Sequence, residues 1–292
     1  MANDPTRPGS DCYCPCGCVT VSVIRKKLFR EKEGMGSGKE ATQNKQQRKR
    51  KRKEKGKGVK SKQNSPSSAS ASEQLRFFVD EFQSAKGVKL SSLELDSLKD
   101  SSILSLPHSS DSDSDSDVKM LGNNMKPAFG ESWKQVLCEP DLVPGKVLPG
   151  SPAILIVASS ALRSLHLLRG FRSFTKECHA AKLFSKHMKL EEQISVLKNR
   201  VNIASGTPSR IKKLIDTEAL SLSRLQVLLL DIHPDVKGYS LFTLPQVRDE
   251  FWDLFKNYFY QGMMQGQLRI CIYGPLQSSV RLKGKQATLP DE

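Results

Sequence analysis

The chain has 292 residues, 37% of them hydrophobic, and a formal net charge of +15. That apolar share is low for a globular chain, and the excess of Lys and Arg points to a polyanionic partner or an acidic surface. No apolar run reaches bilayer-spanning length, and Asp4, Arg7 and Asp11 interrupt any signal-peptide core, so the expectation is a soluble intracellular chain with its seven cysteines reduced.

Residues 1–126 read as a disordered region, basic and rich in Ser and Asp. Cys12, Cys14, Cys16 and Cys18 alternate with other residues; structural zinc uses two more widely spaced pairs, so no metal is assigned to them. Arg48, Lys49, Arg50, Lys51, Arg52 and Lys53 are the centre of a basic block that repels itself and cannot bury a core. The block fits a nuclear or nucleolar import signal, or a nonspecific RNA-binding arm. After a Ser-rich linker, Leu75, Phe78, Val79 and Phe82 stand at helical spacing. So short a helix is either a docking motif or packs on the later domain. The Ser/Asp repeat from Asp111 to Asp117 reads as a solvating spacer whose serines could take phosphate.

The folded domain is placed at residues 127–275, where Phe129, Trp133, Val136 and Leu137 bring the first dense apolar content. Pro140, Pro144, Pro149 and Pro152 keep the next stretch irregular. Residues 153–158 form an apolar run of strand length, suited to a parallel strand covered on both faces. Ser159 and Ser160 stand at its carboxyl end, where they cap a helix with Leu162, Leu165, Leu168 and Phe171 on one face. Residues 181–184 suggest a short strand. Leu190, Ile194, Leu197 and Val201 suggest a helix, and residues 201–204 a further strand. Residues 225–230 form another apolar strand, ending in Asp231, His233 and Asp235. Leu244, Val247, Phe251, Leu254, Phe255 and Tyr258 mark an amphipathic helix, and residues 268–273 a last strand before a flexible basic tail, 276–292. Strands alternating with helices imply an α/β fold with a parallel sheet.

In such sheets ligands sit beyond the carboxyl ends of the strands. Gly206-Thr207-Pro208-Ser209-Arg210 falls there. Gly206 permits an unusual φ, Thr207 suits the N-cap, and Pro208 suits the first helical position. The N–H groups of Ser209 and Arg210, with the positive helix end, then form an anion site to which Arg210 adds a guanidinium. An ordinary capped helix is the plain alternative.

A nucleotide-dependent enzyme of this class needs the loop G-x-x-x-x-G-K-[ST]. The sequence has none: Gly145-Lys146 is followed by Val147, and Gly36-Ser37-Gly38-Lys39 by Glu40. At the strand end Asp231 is followed by Ile232, which leaves one carboxylate where a magnesium site needs a pair. His233 and Asp235 have no nucleophile motif with them, so His233 reads as a lone capping or solvent-facing residue.

The segments Ser159-Ser160-Ala161-Leu162-Arg163, Gly206-Thr207-Pro208-Ser209-Arg210-Ile211 and Leu228-Leu229-Leu230-Asp231 resemble, in order, the first RecA-like domain of DEAD-box RNA helicases. Thr207, Pro208 and Arg210 match its T-P-G-R motif, with Ser209 in place of Gly. Asp231 matches the first Asp of D-E-A-D, with Ile232 where the hydrolytic Glu belongs. The first segment matches P-T-R-E-L-A by position only. More closely, Ala158-Ser159-Ser160-Ala161-Leu162-Arg163, Leu183-Phe184-Ser185-Lys186-His187 and Gly206-Thr207-Pro208-Ser209-Arg210-Ile211 are similar to the Cms-one family of small-subunit ribosome-assembly proteins. The resemblance implies an α/β, RecA-like (P-loop NTPase-like) domain lacking the P-loop, a nucleolar or nuclear location, and pre-ribosomal RNA and small-subunit assembly factors as partners. It implies no enzymatic activity. The leading expectation is a non-catalytic RNA- or pre-ribosome-binding factor. Its phosphate site is Gly206–Arg210, and Ser159, Ser160 and Arg163 are further candidates for RNA contact. The alternatives are a protein-interaction scaffold with no direct RNA binding and an ATP-dependent helicase-like enzyme. No metal, cofactor, small-molecule substrate or membrane is expected.

Overall fold

A computed structural model of the chain describes residues 69–107, 114–142, 144–186 and 188–276. The cysteines at 12–18, the basic residues 48–53, the start of the Ser/Asp repeat and the tail from 277 lie outside the described residues.

Five strands, β1 (Ile154–Val157), β2 (Ala181–Leu183), β3 (Ile203–Gly206), β4 (Val227–Asp231) and β5 (Arg269–Tyr273), pair in parallel in the order β2-β3-β1-β4-β5. This is the α/β parallel sheet that the alternating pattern implies. β1 is central, with Ile154 opposite Ile203 on one side and Val227 on the other. Every residue of β1 and β4 is buried, which is why both read as unbroken apolar runs. Beyond β5 the edge carries one further bridge, Ile103 to Ile270, and the Leu104 N–H bonds the Ile270 carbonyl at 2.8 Å.

The helices among the described residues are α1 (Ala71–Lys86), α2 (Ser92–Ser97), α3 (Ser114–Met125), α4 (Trp133–Leu137), α5 (Ala161–Leu168), α6 (Leu190–Leu197), α7 (Pro208–Asp216), α8 (Pro245–Leu254) and α9 (Tyr260–Met264). Strand side chains alternate between faces and divide the core into two layers. Leu155, Val157, Leu228, Leu230 and Ile270 pack with α1, α6, α7, α8 and α9. Ile154, Ile156, Val227, Leu229 and Cys271 pack with α3, α4 and α5. A π-helical turn, Phe255–Phe259, joins α8 to α9, so the single helix expected there is two.

The folded region starts well before residue 127, which corrects the expected boundary. α1 opens on a capping box: Ser70 Oγ accepts the Glu73 N–H at 3.3 Å, and Glu73 accepts the Ser70 N–H at 2.8 Å. It ends at Gly87, whose φ is +62°. Its apolar stripe is buried, with Phe78 5.3 Å from the Trp252 ring and 5.0 Å from Phe255, and Phe82 5.6 and 5.3 Å from the same two rings. Of the two options for this helix, packing on the later domain is the one observed. The end of the Ser/Asp repeat is helical too, because Val118, Leu121 and Met125 follow at three- and four-residue steps and bury in the second layer. α1 meets rings more than a hundred residues away in sequence, and α3 packs against the turn at Gly170, about fifty residues on; neither partner belongs to a local pattern.

The buried face of α5 also differs from expectation. It is Ser164, Leu167 and Leu168, while Leu162 is 68% exposed and Leu165 36% exposed. Small, buried Ser164 lets the helix lie close on β3, and that contact turns the leucine stripe outward. At the amino ends of the strands, Arg200 and Arg224 clamp the irregular loop. Arg200 donates to the carbonyls of Gln135 at 2.7 Å and Asp141 at 2.6 Å. Arg224 donates to those of Val136 at 3.2 Å and Ser151 at 3.0 Å, and both bond the buried Asn202 Oδ1.

Candidate functional site

The expected site residues converge on the carboxyl ends of β1, β3 and β4, as strand order dictates. Gly206 is the last residue of β3 and is buried. Its φ is not in the left-handed region, so the reason for glycine is not the one expected. A Cβ there would overlap the carbonyl oxygen of Leu183 on β2, so close approach of the two strands excludes a side chain. Thr207 is the N-cap residue of α7, with φ −98° and ψ 150°, but its side chain makes no capping bond. Pro208 takes the first helical position. Among the described residues the N–H groups of Ser209 and Arg210 thus have neither a capping nor an intrahelical acceptor. Thr207, Ser209 and Arg210 are half-buried, so the turn is not covered by its own chain.

Arg210 is not loose. Its Nη1 donates to Gln193 Oε1 at 3.0 Å, and the Gln193 Nε2 donates to the carbonyls of Lys182 at 2.8 Å and Phe184 at 2.9 Å. Gln193 therefore closes the outer edge of β2 and fixes the guanidinium at the same time. The sequence reading missed Gln193. Its signal was a polar residue on the apolar face that Leu190 and Leu197 mark on α6.

The second cluster surrounds Asp231, which is 1% exposed. Arg163 grips it with both arms, Nε to Oδ2 at 2.7 Å and Nη2 to Oδ1 at 3.0 Å. His233 Nδ1 lies 2.9 Å from Oδ1, and Arg163 Nη1 lies 3.0 Å from His166 Nδ1. The His233 ring sits 4.6 Å from the ring of buried Tyr273. Burial raises the Tyr273 phenol to about 12. Two expectations are corrected here. Arg163, expected to face RNA, turns inward to the carboxylate; His233 is neither lone nor a cap but part of this network. Ser160 does what its position suggested, accepting the Arg163 N–H at 3.3 Å, while Ser159 is half-buried beside it.

Both oxygens of Asp231 are engaged, and among the described residues no group of three His, Cys, Asp or Glu could hold a metal. A cavity of about 310 Å³ adjoins Tyr273. Leu106, Asp117 and Met120 line it, and among the described residues no Lys or Arg does, a poor match to a triphosphate.

The sequence matches the family model described as "CMS1: U3-containing 90S pre-ribosomal complex subunit" over residues 23–273. The chain belongs to the CMS1 family. Protein CMS1 of Chaetomium thermophilum is 40% identical over 158 residues, 53% of this chain and 60% of that protein. Protein CMSS1 of Xenopus laevis is 36% identical over 125 residues, 42% of this chain and 45% of that protein. This CMS1-family chain thus matches less than two thirds of the length of either relative. The crystal structure of a DEAD box protein from Methanococcus jannaschii matches with 17% identity and a TM-score of 0.29, over 46% of this chain and 33% of that one.

Proposed function

We propose that this CMS1-family chain is a non-catalytic RNA-binding component of pre-ribosomal particles in small-subunit assembly, acting in the nucleolus. The family description supports the setting. The observation that carries the RNA reading is the first turn of α7. There two N–H groups without acceptors, the positive helix end and the anchored Arg210 meet at the surface. RNA phosphates fit that turn, and the +15 charge supplies affinity independent of base sequence.

The non-catalytic reading rests on donor chemistry. The sequence holds no phosphate loop, and the one retained carboxylate is tied to Arg163. Arg210→Gln is the decisive variant, because glutamine still donates to Gln193 while removing the charge. Affinity for a labelled single-stranded RNA should fall roughly three- to tenfold, and the slope of log K against log salt should flatten by about 0.7. Unchanged affinity with an unchanged melting temperature rejects the site.

A second reading, a protein scaffold whose basic residues 48–53 serve only import, is favoured by the fate of Arg163 and Ser160, both taken up by the fold. RNA binding that disappears from the α/β domain but persists in the basic segment would select it.

A further inference from the structure

We propose that the outer face of α5 and the turn Arg169–Phe171, together with α6 and the rim of β2, form a docking groove for an acidic amphipathic segment of a partner protein. α5 carries two apolar stripes. Ser164, Leu167 and Leu168 pack inward, which leaves Leu162 and Leu165 outward and unpartnered. The same outward face continues, at seven and ten residues from Leu162, into exposed Arg169 and Arg172.

The groove beside it measures about 570 Å³. Leu165, Met188 and Val196 contribute its apolar floor, and Arg169, Arg172 and Lys182 its charged rim. Among the described residues no Asp or Glu lines it, nor any Phe, Tyr or Trp. Nucleic-acid surfaces pair cations with several aromatic stacking platforms, whereas His179 is the one ring among the described residues lining this groove. Aliphatic side chains with a methionine instead suit the apolar face of a helix, and guanidinium groups at the rim suit carboxylates. Backbone pairing with a strand is not the mode, because Gln193 already occupies the outward carbonyls of Lys182 and Phe184. The groove is built from other residues than the Gly206–Arg210 turn, so this inference stands or falls apart from the RNA reading.

The test is selection of a displayed library of random 16-residue peptides on the full chain, followed by affinity measurement on the variants. Enriched peptides should carry Asp or Glu beside apolar residues at three- and four-residue steps. Leu165→Ser/Val196→Ser leaves net charge untouched and alters only exposed positions. It should weaken these peptides at least tenfold with the melting temperature unchanged, as should Arg169→Gln/Arg172→Gln. Labelled single-stranded RNA should lose less affinity than the peptides in both variants. The proposal is overturned by a selection that enriches nothing or enriches no acidic residues, by peptides that bind the serine variant as they bind the parent, or by RNA losing as much as the peptides do.

Discussion

Replacing Arg163 with Met should unfold the domain more readily than replacing Arg163 and Asp231 together. Asp231 is buried and receives two bonds from the guanidinium, at 2.7 and 3.0 Å. Methionine keeps an apolar stem of similar reach and leaves the carboxylate without its cation. Removing one partner of a buried pair costs about 3–5 kcal/mol. The Arg163 side chain is itself 21% exposed and His233 stays at 2.9 Å, so the low end, about 3 kcal/mol, applies. Asp231→Asn on that background removes the stranded charge and still accepts from His233. Roughly half the loss, about 1.5 kcal/mol, should return. With a urea slope of about 2 kcal/mol/M, Arg163→Met lowers the midpoint by about 1.5 M and the double variant recovers about half of that. Far-UV circular dichroism in urea at neutral pH measures both. A midpoint for Arg163→Met within about 0.3 M of the parent, or a double variant no better than the single, refutes the inward role of Arg163 and returns it to the surface.

Two other outcomes follow from the packing and from Tyr273. A chain beginning at residue 127 lacks Phe78, Phe82, Val118 and Leu121, all buried, and should show no cooperative melting transition, whereas one beginning at residue 69 should melt as the full chain does. Equal transitions for the two would show the core is complete without α1 and α3. The folded-state pKa of Tyr273 stands at about 12, above the ordinary value near 10, because burial disfavours the phenolate. A raised folded-state value means its contribution is intact below about pH 10 and fades as pH climbs toward 12. Tyr260, also raised to about 12 by burial and by its bond to Glu94, acts in the same direction. Urea midpoints across that alkaline range should therefore fall, and fall less steeply in Tyr273→Phe; identical slopes in the two proteins count against the assignment.

The sheet was legible because parallel strands buried on both faces leave a one-dimensional trace. β1 is apolar throughout and β4 is apolar up to Asp231, its last residue, with Ser159 just beyond the end of β1. Pro208 after Thr207 likewise fixed the start of α7. What stayed hidden depends on contacts distant in sequence. α1 has the spacing of a buried helix, yet only the rings of Trp252 and Phe255 reveal what buries it. The exposed leucines of α5 obey a helical period as well as the buried ones do, and the face that lies on β3 is the one carrying Ser164, whose carbonyl accepts from the Ser205 hydroxyl. At the site, the T-P-x-R pattern located the turn but not Gln193, and Arg163 gave no local sign that its partner lay sixty-eight residues on.

The Arg163–Asp231 pair also bears on whether an anion can approach α7. β3 and β4 flank β1, so their carboxyl ends lie about 10 Å apart at ordinary strand spacing. That is close to the screening length of physiological salt, so an unpaired carboxylate at Asp231 would still repel a phosphate held at Ser209 and Arg210. Arg163 cancels that charge at contact distance, through two bonds that leave little net field at the neighbouring strand. The partial positive charge of the α7 terminus and the Arg210 guanidinium then act without that repulsion. One ion pair thereby does two things at once: it ties up both oxygens of the carboxylate, and it keeps that carboxylate's charge from repelling an anion at the adjacent turn.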